Sequence, residues 1–133
     1  MTAPVFASKA RNADKVRNAA AIIYAEDVLS TLLWYQDNLG LQVEFAWGDP
    51  VVHGSVLAGA TSFHFSRVAD VPERQTAYMT LYVSDLDDLF DDIASRDVEV
   101  LQEPETMEWG MRAFMVRDLD GRTVMFADPS TGE

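Results

Sequence analysis

The chain has no cysteine, which rules out disulfides, thiolate metal sites and cysteine nucleophiles. No stretch approaches the roughly 20 apolar residues that cross a bilayer as a helix. The opening MTAPVFASKARNADKVRN also lacks the apolar run of a signal peptide, so a cytoplasmic protein is expected. Positive charge is scarce, with 10 Lys and Arg against 22 Asp and Glu and a net of −12. Much of it gathers at the start. Lys9, Arg11, Lys15 and Arg17 face Asp14 alone, so residues 1–17 carry 4 − 1 = +3 and the remainder 6 − 21 = −15. That balance repels phosphate, which makes nucleic acid and anionic membranes poor partners and favours a cationic small molecule or a basic protein. Histidine occurs twice. There is no Gly-x-Ser-x-Gly elbow, no Walker loop and no Rossmann glycine triplet.

What is present fits one globular domain: 133 residues, 48% of them apolar, can bury a core without staples. Residues 1–17 lack a clear apolar period and read as a flexible arm. From residue 18 the pattern sharpens. AAAIIYA (19–25) reads as a strand, and EDVLSTLLWYQDNLG as a helix with Val28, Leu32, Tyr35 and Leu39 at helical spacing. Asp27 is its expected N-cap and Gly40 its C-terminal glycine. LQVEFAW (41–47), VVHGSVLA (51–58) and TSFHFSR (61–67) then read as strands. After a connector at 70–76 the order begins again: a strand at 77–83, a helix with a Leu86, Leu89, Phe90, Ile93 stripe, and strands at 98–102, 111–117 and 122–127. Two modules are expected, 18–69 and 77–128, with a tail at 129–133. The repeat lies in pattern more than identity: Asp27 aligns with Asp85, and Gly59 with Gly121.

YAEDVLSTLLWYQDNLGL, LYVSDLDDLFDDI and WGMRAFMVRDLDGRTVMF, in that order over residues 18–128, resemble the vicinal oxygen chelate superfamily. This superfamily includes glyoxalase I, extradiol dioxygenases, and fosfomycin- and bleomycin-resistance proteins. Members usually carry Pro where Leu119 stands here. The resemblance implies an α+β fold of two tandem βαβββ modules forming a curved, partly closed mixed sheet around a cleft, within a homodimer. Period two then sorts the faces. Ala21, Ile23, Ala25, Phe63, Phe65, Met79, Leu81, Val83, Val124 and Phe126 would pack on helices. Ala20, Ile22, Tyr24, Ser62, His64, Tyr78, Thr80, Tyr82, Thr123 and Met125 would face the cleft.

Metal-dependent members place a His, Glu or Gln ligand on each of four cleft strands, and here those positions fall on Ala20, His64, Tyr78 and Met125. Alanine offers no donor, a thioether is too soft for the ions concerned, and tyrosine is a rare ligand. One imidazole does not hold catalytic zinc, which takes three protein ligands. His53, in VVHGSV, has no partner at ligand spacing and reads as a structural histidine. Neither a metal nor another cofactor is therefore expected, and an enzyme is disfavoured.

Possible acid–base groups are His64, Tyr78, Tyr82, Tyr24, Glu44 and Glu108, but no spacing marks a dyad. A binding role uses such residues better: rings and thioethers bury much area and adapt to flat ligands. The expected ligand-binding residues are His64, Tyr78, Tyr82, Trp47, Trp109, Met115, Met125 and Glu108. Trp34 reads as core. Trp47 could reach a cleft mouth, and Trp109 either contacts ligand or plugs the end of the sheet. Glu103, Glu105 and Glu108 could form a negative rim beside the closing hairpin, whereas Asp85, Asp87, Asp88, Asp91 and Asp92 read as solvated helix surface. The preferred expectation is a metal-independent binder resembling bleomycin-resistance proteins, sequestering a cationic or aromatic ligand in a dimer cleft. The alternative is a glyoxalase- or dioxygenase-type metal enzyme with an atypical ligand set. A third reading has no ligand at all, its cleft filled by Tyr78, Tyr82, Met115 and Met125 packed on one another.

Overall fold

The computed structural model describes residues 11–16, 19–69 and 78–131, with Tyr78 by its backbone alone. Most of the expected arm, all of the connector 70–76 and the last two residues of the tail lie outside the described residues. Residues 11–16 include one 3-10 turn, Ala13–Lys15, with no buried residue.

The first module runs β1 (Ala20–Ala25), α1 (Val28–Leu39), β2 (Gln42–Trp47), β3 (His53–Ala58) and β4 (Thr61–Arg67). The second runs β5 (Tyr78–Tyr82), α2 (Leu86–Ala94), β6 (Glu99–Thr106), β7 (Arg112–Arg117) and β8 (Thr123–Asp128). The sheets have equivalent orders, β1-β4-β3-β2 and β5-β8-β7-β6. In each, the first and last strands of the module pair in parallel and the others antiparallel. The two sheets stay separate and open, with β1 and β5 each an outer strand. β6 extends beyond its expected end to Thr106, so Glu103 and Glu105 are strand residues and only Glu108 sits in the turn.

α1 starts where Asp27 accepts a hydrogen bond from the Ser30 N–H at 3.0 Å, and it ends at Gly40, whose φ of +71° suits a residue without Cβ. Val28, Leu32, Tyr35 and Leu39 are buried, while Leu29 and Leu33, one step round the helix, are exposed. A Cβ at Gly54 on β3 would run into the Leu32 side chain and come within 2.8 Å of the Phe45 carbonyl. Glycine therefore sets the approach of helix to sheet. α2 buries Leu86 and Ile93, with Leu89 and Phe90 packed against the core.

The helix-bearing faces of both modules contribute to one apolar cluster, including Ile23, Leu32, Tyr35 and Phe65 from the first and Met79, Leu81, Phe114 and Phe126 from the second. A buried polar staple crosses the same junction. Arg122, fully buried, donates from one nitrogen to Asp118 at 2.8 Å and Asp120 at 3.0 Å, and from the other to the Tyr24 carbonyl. From α1, Tyr35 Oη donates to Asp118 and Thr31 Oγ1 to Asp120, each at 2.6 Å. The guanidinium also lies 5.5 Å from the centre of the Phe65 ring. Burial, then Asp118, pushes the Tyr35 hydroxyl well above its ordinary range, so it stays a neutral donor. Burial works against the charge of Arg122, but the groups around it, Asp118 first among them, together outweigh burial and the guanidinium stays protonated.

Candidate functional site

With the helix-bearing faces turned into a shared core, the opposite face of each sheet is left uncovered by helices. Partner residues across strands point to the same side, so the register gives the membership of each open face. On the first sheet, Ile22, His64, Ser55 and Phe45 form one row, and Tyr24, Ser66, His53 and Trp47 the next. On the second, Thr80, Met125, Met115 and Gln102 form a row, and Tyr82, Ala127, Ala113 and Glu105 its neighbour. The side assignments made from strand period agree at most positions: Ile23, Ala25, Phe65, Met79, Leu81, Val124 and Phe126 are buried on the helix side, while Ile22, Tyr24 and Tyr82 are exposed. Ala21, expected to pack on the helix, is exposed near the start of β1.

The open faces differ in chemistry. The first is polar with an aromatic margin. β2 bulges between Val43 and Phe45, and the bulge residue, Glu44, accepts hydrogen bonds from Ser55 at 2.8 Å and Ser62 at 2.6 Å. These bonds, Ser62 first and then Ser55, hold its carboxyl below the usual range, with a smaller contribution from His64. His53 joins Ser66 through Nδ1 at 2.6 Å and His64 through Nε2 at 3.2 Å. Phe45 lies 5.6 Å and 5.7 Å from the two imidazoles, ring centre to ring centre. Trp47 and Tyr24 stand 67% and 56% exposed at the edge of this patch.

The second face has a methionine floor. Met125, Ala113 and Ala127 form a small buried cluster, against which Met107, Met111 and Met115 pack. Tyr82 does not lie down on it: at 68% exposed it stands clear. Of the filled-cleft set, Met115 packs on Met125 while Tyr82 stays largely exposed. Trp109, on the β6–β7 turn beside Met107 and Met111, is 53% exposed and so does not plug the sheet. Glu108 is exposed in the same turn. Trp34 packs partly buried against the core, edge-on to Tyr35.

The expected site residues therefore fall into two groups, His64 and Trp47 on the first face and Tyr82, Met115 and Met125 on the second. Glu108 and Trp109 lie on the turn at the end of the second sheet. The position of Tyr78 on β5 places it beside Thr123. A separate groove of about 530 Å³ runs between the β3–β4 turn and β5, lined by Ala58, Gly59, Ala60 and Phe63 and by Thr80 and Tyr82.

Sequence reading missed the pairing of His53 with His64. The signal was there: a two-residue turn at Gly59-Ala60 pairs 58 with 61 and so 53 with 66, making 53 and 64 diagonal neighbours. The family's metal positions do not fit an ion in this chain. Ala20 pairs with Ser62 and His64 with Ile22, and Met125 is packed among apolar groups. Among the described residues no set of three or more His, Asp or Glu could hold a metal ion.

The family model described as Glyoxalase/Bleomycin resistance protein/Dioxygenase superfamily matches residues 17–126. The chain belongs to this superfamily. Among solved structures, TioX from Micromonospora sp. ML1 superposes with a TM-score of 0.74 at 18% identity, covering 85% of this chain and 98% of that one. The bleomycin resistance determinant encoded on transposon Tn5 gives 0.70 at 17% identity over 85% and 98%. The bleomycin-binding protein from Streptomyces verticillus, solved with copper(II)-bleomycin, gives 0.68 at 24% identity over 85% and 96%. These likenesses establish the shared fold. Comparison with curated proteins by sequence finds no match. No described helix is long and apolar enough to cross a membrane.

Proposed function

We propose that this superfamily member binds a small cationic or aromatic molecule without a metal, sequestering it in a cleft that a second copy of the chain completes. The observation that carries this reading is the display of large rings on uncovered sheet faces: Tyr24, Trp47 and Tyr82 are each more than half exposed. Exposed rings of this size, grouped around polar anchors, are costly on a surface with no partner and useful on one that closes over a ligand. The outer strands β1 and β5 carry Tyr24 and Tyr82, so pairing the first sheet of one copy with the second sheet of another would wall a cleft from both faces. His64, Trp47 and Glu44 would then oppose Tyr78, Tyr82, Met115 and Met125, with Trp109 and Glu108 at the rim. The net charge of −12 favours a cation. Two structural neighbours are, by their descriptions, a bleomycin resistance determinant and a bleomycin-binding protein, which makes bleomycin the first ligand to try.

The test is calorimetric titration of chelator-treated protein with metal-free bleomycin, alongside sedimentation across protein concentration and elemental analysis of untreated protein. A dimer that binds the drug without added metal supports the reading. A near-stoichiometric divalent metal in the untreated protein, with binding lost on its removal, overturns it in favour of a metal enzyme.

A further inference from the structure

The polar patch on the first sheet's open face has a hydrogen-bonding order that its composition does not reveal. Both hydroxyls bound to Glu44 donate to the same oxygen, Oε1. The carboxylate is thereby held in place, while Oε2 has no hydrogen-bond partner among the described residues. Ser55 lies directly across from His64, and Ser62 is two residues before it on the same strand, so the anchored carboxylate sits beside that imidazole.

His64 ends a chain of three groups, Ser66 Oγ to His53 Nδ1 and His53 Nε2 to His64 Nδ1. A neutral imidazole has one donor and one acceptor nitrogen, so the chain can run in two directions. If Ser66 accepts, His53 accepts from His64 Nδ1–H, and His64 Nε2 offers a bare lone pair. If Ser66 donates, every role reverses and His64 Nε2 offers an N–H. This nitrogen is neither buried nor bonded among the described residues. Among the described residues, the remaining titratable group on this part of the face is Tyr24, opposite Ser66 on β1. α1 packs on the other side of the sheet.

We propose that Glu44 Oε2 and His64 Nε2 form a two-acceptor clamp for a planar, N–H-rich cation, an amidinium or guanidinium group carried on a flat ring. Alone, an ionised carboxylate beside His64 favours the chain direction that turns an N–H toward it; a cation with N–H groups for both selects the reverse direction, in which both groups accept. A planar cation with N–H groups on both flanks matches two acceptors side by side, as a single ammonium does not. Phe45 backs the histidines, and the exposed Trp47 and Tyr24 give the attached ring surfaces to stack on. His53 and Ser66 act as positioning residues, engaging His64 Nδ1 and leaving Nε2 for the ligand. The clamp rests on the reading that this open face binds a cationic aromatic ligand, and it specifies the chemistry of that ligand.

The test uses benzamidine, with neutral benzamide as its control, followed by calorimetry and tryptophan fluorescence on the full chain. Wild type should bind benzamidine at least about tenfold tighter than benzamide, and Glu44→Gln and His64→Phe should each cost about tenfold. Nitrogen-15 spectra of the complex should show His64 Nε2 unprotonated. In His53→Phe, which removes the acceptor for His64 Nδ1–H, that tautomer preference should weaken even where affinity changes little, which a merely structural role would not produce. Circular dichroism melting verifies that each variant is folded. Equal binding by folded Glu44→Gln, equal affinity for benzamide, or a protonated His64 Nε2 in the complex would each overturn the clamp. So would stoichiometric zinc binding by wild type that is lost in His64→Phe, since the histidines would then be ligands. Wild type that binds neither benzamidine nor bleomycin removes the underlying reading as well. Bleomycin binding that Glu44→Gln leaves intact removes the clamp alone.

Discussion

The two modules share strand order, register pattern and helix placement, yet they use equivalent positions for opposite purposes. In the first, the turn between the last two strands is Ala58-Gly59-Ala60-Thr61, short and uncharged, lining a groove. In the second, the equivalent turn is the Asp-Leu-Asp-Gly-Arg run, and Arg122, standing where the first module has Ala60, is fully buried against the other module. The open faces diverge in the same way. One carries Glu44, His53, His64 and serines, the other a floor of methionine and alanine. A duplicated fold preserves the period that decides which side chains are inside. It leaves the chemistry of turns and outer faces free, because those positions do not have to satisfy the same core.

The comparison is broken most directly at Arg122. Arg122→Ala strands Asp118 and Asp120 beside Tyr35 and Thr31, and should cost about 3–5 kcal/mol by urea denaturation. Arg122→Met, which keeps volume but also removes the charge, tests how much of that cost is packing. The reciprocal change, Ala60→Arg, lies on the exposed turn and should move stability by less than about 0.5 kcal/mol. If both substitutions cost the same, the staple is not what distinguishes the modules.

A smaller effect is expected at Gly54, where helix and sheet of the first module touch. Gly54→Ala should destabilise by about 1–3 kcal/mol, because the added carbon meets Leu32 and the backbone carbonyl of Phe45.

The helix starts sharpen the contrast further. Asp27 caps α1, whereas Asp85, before α2, has φ of +53° and makes no side-chain cap bond. Asp27→Ala should cost about 1 kcal/mol and Asp85→Ala clearly less, measured by thermal melting. The Asp27 carboxyl is held below its ordinary value by the Ser30 backbone bond first and the Ser30 side chain second. Its folded-state pKa lies below the unfolded one. Its contribution is therefore complete above about pH 4 and lost as pH falls through the folded value, and the Asp27→Ala penalty should shrink in acid. Last, Met125→Glu should produce no measurable zinc uptake by elemental analysis, since the Ala20 position still has no donor and the methionines around residue 125 are poor ligands for zinc.

The buried stripes of α1 and α2, the cap at Asp27, the glycine at 40 and the side each strand residue takes were legible in the sequence. All are local, set by the 3.6 and 2.0 periods and by backbone preferences a few residues apart. The doubled order of elements followed from the same periods, and with the motifs it pointed to the superfamily. Two things were not legible. The extension of β6 through Glu103 and Glu105 depends on pairing with β7, not on propensity. The Arg122 staple joins residues 31 and 35 to 118, 120 and 122, a separation no local period spans, whereas the pairing of His53 with His64 was legible from the hairpin turn and was missed. Sequence by itself determined which residues are inside each module, because burial of apolar side chains is enforced position by position. Tertiary structure alone decided that the helix faces meet, that a buried arginine locks them, and that Glu44 and two histidines share one surface. Those outcomes rest on distances between strands and modules, and only the packed chain fixes them.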